Sequence, residues 1–224
     1  VLARHKIVSG TTVVLGAGSP ITVTGLTPNT TYDFYVRRIC VPGVDFSLNA
    51  SKVTATTLCT AVNIPYVQTF ESSVVPAPPT CTSVQDVNGN SGSVPNAGGG
   101  SWFTYDGGAN AQTWVSPTKT IRYLYDAANA LRPADDWFYT QGLNLSAGTN
   151  YRLKFFIKGS DGPTWTERLE VKYGTLAHSS AMTNLLYTNN NIATALANPW
   201  DSVVVDFVPV TTGVYYIGFH AISL

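Results

Sequence analysis

Apolar and polar residues alternate with a period of two along most of this chain, a rhythm that suits strands and not helices. Tyr32, Phe34 and Val36 alternate with Asp33, Tyr35 and Arg37. Tyr151, Leu153, Phe155 and Ile157 alternate with Arg152 and Lys154, and Leu169, Val171 and Tyr173 with Glu170 and Lys172. Further runs cover Val203 to Phe207 and Val214 to His220. Successive side chains on a strand point to opposite faces, so each run has one face to bury. Gly, Asn and Pro punctuate the runs, as in a β-sandwich. Only Asp126 to Leu131 and Ala193 to Ala197 offer a turn of helix. The expected fold class is all-β.

Composition narrows the partners. Apolar residues make up 44% of the 224, enough for a packed core, while charged residues make up only 12%. Lys+Arg and Asp+Glu are 13 each, so no global field draws the chain to nucleic acid or to an anionic membrane. No apolar run approaches the roughly 20 residues of a membrane span, so no membrane insertion is expected. The chain opens on Val1 and reads as a piece of a longer protein; the lack of a leader pattern says nothing about export. Cys40, Cys59 and Cys81 show no CxxC spacing, which disfavours a zinc ribbon or a thioredoxin-like motif. In an exported protein the simplest count is one disulfide and one orphan.

A boundary is expected near residues 57 to 65, with 59–64 as linker: Lys52 to Thr57 reads as a closing strand, and Asn63-Ile64-Pro65 as an extended connection. The stretch from Val75 to Gly100, with Pro76, Pro78, Pro79 and Gly98 to Gly100, is long for a compact domain. Such a loop is functional or simply mobile, and the mobile reading is preferred.

Leu26-Thr27-Pro28-Asn29-Thr30-Thr31-Tyr32 suits a turn entering a strand. Tyr32 can bury its ring while its hydroxyl bonds backbone upstream, the tyrosine corner of sandwich domains. With Asp33-Phe34-Tyr35-Val36 and the closing Lys52-Val53-Thr54-Ala55-Thr56-Thr57, residues 1–58 resemble the C-terminal part of a fibronectin type III domain. The resemblance implies an Ig-like sandwich lacking its first strands, with a spacing and presenting role.

Residues 65–224 carry a second resemblance. Its residues are Pro65 to Ser72, Pro79 to Val84, Ala134-Asp135-Asp136-Trp137-Phe138-Tyr139-Thr140 with Leu143-Asn144-Leu145, Gly148 to Phe155, Glu167 to Val171, Trp200-Asp201 with Val203 to Phe207, and Gly213 to His220. Together they resemble MAM-like and cleaved-adhesin domains of Bacteroidetes-like surface proteins. Thr82 and Gln141 stand where that family often has Trp and Pro. The resemblance implies a jelly-roll β-sandwich lacking its last strand, secreted or on the cell surface. It would work in adhesion, in carbohydrate binding, or as an accessory domain of a secreted protease or glycosidase. It also implies that Cys59 and Cys81 tie the linker to the sandwich, leaving Cys40 without its partner or free.

Related jelly rolls often hold a structural calcium ion near their first strand and their last, and without the last strand's carboxylates such a site is incomplete here. Calcium takes six to eight hard oxygens, and Glu71 is the matching carboxylate; Asp135 and Asp136 are a second pair, of which at most one can point inward. Glycan binding needs exposed rings that stack on a sugar, and Trp102, Tyr105, Trp114 and Trp165 are the candidates, with Tyr123 and Tyr125 behind them. Core packing is the competing role for each. Trp137 and Trp200 match core positions. No H-E-x-x-H, G-x-S-x-G or P-loop occurs. Glu167 and Glu170 fall on opposite faces of a strand and make a poor acid/base couple, and His220 reads as a strand residue, not a base. The expected protein is a non-catalytic binding module for glycans or for host or matrix surface proteins, flanked by neighbouring modules of the same chain. The rival is a structural spacer in a multidomain adhesin.

Overall fold

The computed structural model describes residues 5–9, 12–16, 22–41, 45–48, 50–89, 100–107, 117–124, 133–159, 167–192 and 200–222. The two helical turns expected at 126–131 and 193–197 lie outside them, as do Trp114, Tyr125, Trp165 and residues 90–99 of the long loop. The chain divides into two compact units, Val1–Thr60 and Ala61–Leu224. The described elements are strands and one 3-10 turn, so the fold is all-β.

The first unit holds β1 (His5–Ser9), β2 (Thr12–Gly16), β3 (Thr31–Val41), β4 (Asp45–Phe46) and β5 (Val53–Thr56). They form one antiparallel sheet in the order β2-β1-β3-β4, with β5 also on β3. The turn into β3 is built as its residues suggest. Asn29 supplies a left-handed φ of 49°, which Asn tolerates better than most residues. The Thr27 N–H donates to the Tyr32 hydroxyl at 2.9 Å. Thr57 fastens the turn from the far side, donating its hydroxyl to the Thr27 carbonyl at 2.6 Å and accepting the Thr30 N–H at 3.0 Å.

The second unit holds β6 (Val62–Asn63), β7 (Ser83–Asp86), β8 (Ser101–Asp106), β9 (Lys119–Leu124), β10 (Asp136–Tyr139), β11 (Leu143–Leu145), β12 (Tyr151–Ile157), β13 (Glu167–Gly174), β14 (Asn184–Ile192), β15 (Asp201–Phe207) and β16 (Gly213–Ala221). The main sheet runs β14-β13-β16-β10-β7. β11 continues along β16 where β10 stops, and β6, inside the segment read as linker, pairs with β11 in parallel. Thr140 bridges the break between β10 and β11: its hydroxyl accepts the Ile217 N–H at 3.0 Å, while its own N–H donates to the Ile217 carbonyl at 2.9 Å.

Alternation decides the core. Leu169, Val171, Tyr173, Tyr215 and Ile217 point to one face of this sheet and are buried with Leu143, Leu145 and Ile192. Two strand pairs, β8–β9 and β12–β15, lie over that inner face. Tyr151, Leu153, Phe155 and Ile157 turn inward from β12, and Phe155 meets Tyr187 and Phe219 edge-on at 5.5 and 5.3 Å. The turn into β12 repeats the device of the first unit: Gly148 has φ of 72°, and the Ser146 N–H donates to the Tyr151 hydroxyl at 2.9 Å.

Candidate functional site

Strand β10 feeds both faces of the main sheet of the second unit. On the outer face, Trp137 and Tyr139 stack at 5.7 Å, and Met182 completes a small buried cluster with them. His220, opposite Trp137 on β16, stacks on the indole at 4.0 Å with the planes 9° apart. Its Nε2 lies 2.7 Å from the Asp135 carboxylate and its Nδ1 3.4 Å from that of Glu170. Glu170 also pairs with Lys172 at 2.6 Å, and the Lys172 ammonium sits over the Trp137 ring. Burial pushes the Glu170 carboxyl up, but hydrogen bonds from Lys172 and His220 outweigh it and hold the group below its usual range. The Tyr139 hydroxyl donates to Gln85 at 2.7 Å; the same Gln85 oxygen accepts the Ser179 N–H at 2.8 Å, so the 3-10 turn Ser179–Ala181 is held to the sheet.

The inner face is different. Asp136 is 1% exposed. One carboxyl oxygen accepts from the Tyr123 hydroxyl at 3.2 Å and from the Asp135 N–H at 3.3 Å, while Oδ1 has no hydrogen-bond partner. Asp86 stands directly opposite it on β7. Burial, and then the Asp86 charge, push the Asp136 carboxyl up to about 7. The same burial and the Asp136 charge raise the Tyr123 phenol. The Trp102 indole N–H donates to the Asp136 carbonyl at 3.0 Å.

Above this face lies a cleft of about 1140 Å³. Lys119 to Tyr123 of β9 and Tyr151 to Ile157 of β12 line it without a gap, with Phe138, Ile217 and Phe219 below. Consecutive residues of β9 and of β12 therefore border it. The inward row of β12 is only half-buried, although the sheet beneath is closed, with Val171 at 0% and Ile217 at 2% exposed.

The residues singled out from the sequence do not converge on one site. Trp102 packs between Tyr123 and Phe138, at 5.7 and 6.3 Å, and lines the cleft from within the core. Tyr105 lines it too, with the Arg122 guanidinium 5.1 Å over its ring. Trp114 and Trp165 lie outside the described residues. Glu71 accepts the N–H groups of Thr118 and Lys119, at 3.0 and 2.9 Å, and the Thr118 hydroxyl at 3.1 Å. Lys119 returns its ammonium to the carbonyls of Glu71 and Ser73. Glu71 thus staples the start of the unit to β9. Asp135 and Asp136 do point apart, one to His220 and the other inward. Among the described residues no group of three or more His, Cys, Asp and Glu side chains could hold a metal ion. Cys59 and Cys81 are both disulfide-bonded. The pairing of His220 between two carboxylates was not foreseeable, because its partners come from β13 and from the residue before β10, both distant in sequence. Asp86 carried a weak signal, as an acidic residue in a strand-like run.

No family model matches the chain, and no curated protein matches it. Among solved structures it is similar to the K1 cleaved adhesin domain of Lys-gingipain from Porphyromonas gingivalis W83, with 18% identity, 69% of this chain and 86% of that chain covered, and a TM-score of 0.49. It is also similar to the K3 cleaved adhesin domain of the same protein, with 18% identity, 65% and 85% covered, and a TM-score of 0.41.

Proposed function

We propose that this chain is a non-catalytic binding module of a secreted or surface protein, and that its second unit holds the ligand in the cleft between β9 and β12. The observation that carries this is the cleft itself, which combines aromatic rings, Tyr105 and Tyr151 among them, with cations such as Arg122 and Lys158. Concave sites of mostly apolar lining with a few polar groups are the usual form of a binding site. The ligand classes are glycans, whose apolar ring faces stack on such aromatics, and host or matrix surface proteins. The first unit, with its fibronectin-like turn and strand, serves as a presenting module.

The test is a screen of the full chain against arrays of glycans and matrix proteins, run with calcium and with chelator. Binding that Tyr105→Ala removes without loss of the folded spectrum supports the reading, and loss in chelator adds a calcium ion to it. A folded chain that binds nothing on either array leaves the structural spacer as the function.

A further inference from the structure

Glu71 is the carboxylate expected to hold a calcium ion near the start of the second unit, and its surroundings do not fit one. Calcium takes six to eight hard oxygens with lone pairs to give. The Glu71 carboxylate instead faces hydrogens. Its Oε1 accepts the N–H groups of Thr118 and Lys119, and its Oε2 accepts the Thr118 hydroxyl. An ion set on the same oxygens would meet the positive ends of these donors or have to displace them. A cation is already present beside this residue, on the chain itself. The Lys119 ammonium donates to the Glu71 carbonyl at 3.0 Å and to the Ser73 carbonyl at 2.9 Å. These two carbonyls belong to one turn, closed by a 3.0 Å bond from the Ser73 N–H to the Phe70 carbonyl, and both converge on one nitrogen. Ser73 is 6% exposed. The clasp is reciprocal: the Glu71 side chain grips the Lys119 backbone, and the Lys119 side chain grips the Glu71 backbone. Hydrogen bonds with an ionised partner are the stronger kind, and each half of this clasp has one.

We propose that Lys119 is the tethered cation of this clasp, in the place of a metal ion, so that the hold of residues 70–73 on β9 is independent of calcium. Its corollary is a small site, lined by the carbonyls of Glu71 and Ser73, that takes a free alkylammonium ion once the lysine side chain is removed. The tether keeps the ammonium at high effective concentration, whereas a metal ion would have to be drawn from the medium. Lys119 also borders the cleft, so one wall of the cleft is fastened without a free ion. This goes beyond the binding reading and does not rest on it, because it is read from stability and local protection alone.

The test uses the full chain. In the wild type, lysine acetylation by a water-soluble active ester is followed by mass spectrometry. Lys119 must break two hydrogen bonds to react, so it should label roughly tenfold more slowly than Lys52, whose side chain is 51% exposed. Equal rates would mean that the ammonium is not seated, and would overturn the proposal. Amide hydrogen exchange in 70–73 should be the same with calcium and with chelator. Protection that calcium adds there, and that Glu71→Gln abolishes, would put a metal on the carboxylate and overturn it too. Lys119→Ala should lower the unfolding midpoint by roughly 5 °C. Methylammonium should restore part of that loss, rising with the logarithm of its concentration as a bound ligand does. Tetramethylammonium, which has no N–H, sets the baseline for ionic strength. Lys119→Met keeps an unbranched stem without a charge; it should lose about as much and gain nothing from methylammonium. Equal effects of the two ions on Lys119→Ala, or an undiminished midpoint in Lys119→Met, would reduce Lys119 to packing and overturn the tethered cation. Should Lys119→Ala fail to fold, acetylation and exchange in the wild type still decide.

Discussion

Asp136 and Trp137 are neighbours on one strand, equally buried, and they face opposite electrostatic worlds. On the Trp137 side the ionisable groups have polar partners: His220 lies between Asp135 and Glu170, and Lys172 holds Glu170. What stays unmatched there is a neutral group, the indole N–H. On the Asp136 side a carboxyl has one oxygen without a partner and a second acid opposite. A buried neutral donor left alone costs far less than a buried charge left alone. On the outer face Lys172 and His220 thus favour the charged form of Glu170, whereas on the inner face burial and Asp86 favour the protonated form of Asp136.

The largest effect expected is at Asp136. The folded carboxyl titrates near 7 and the unfolded one near 3.8. The folded chain thus holds a proton that the unfolded chain releases between these values. The stability this contributes is complete below about pH 4 and is lost as pH rises through about 7. The span is on the order of 4 kcal/mol. Asp136→Asn should flatten that slope and raise stability at pH 8, as read by urea unfolding across pH. An unchanged slope in the variant would mean that the two faces do not differ in this way.

Next comes the packing of the outer face. A Cβ on Gly218 would lie 2.9 Å from the Trp137 ring and 3.0 Å from the Met182 sulfur. Gly218→Ala should cost about 2 kcal/mol through overpacking and displace the His220–Trp137 stack, seen as a shifted Trp fluorescence maximum. Full stability in this variant would show the outer cluster to be loose. The smallest effect is Tyr139→Phe, which removes one donor from Gln85 but leaves it the Ser179 N–H. A loss of about 1 kcal/mol is expected, with no change in pH dependence; a change would couple this bond to the charged network.

The strands were readable because burial on one face writes itself into the sequence at every second residue. The turn into β3 was readable too, since Pro28 and Tyr32 each serve one local geometric need. The same turn stands before Tyr151, so it marks entry to a sandwich strand in either unit and by itself separates no family. The site was hardly legible. Trp102 and Tyr105 line the cleft, but so do residues of β12 that read only as core, and Glu71 proved to be committed to backbone donors.

By itself, then, the sequence determined an all-β chain, which residues of each strand share a face, and the device that opens β3. Those follow from interactions within a few residues. Tertiary structure alone decided that His220 would sit between two carboxylates, that Asp86 would stand opposite Asp136, and that β9 and β12 would border an open slot. Each of these depends on which distant strand becomes the neighbour and in what register, and a period of two is the same for every possible neighbour.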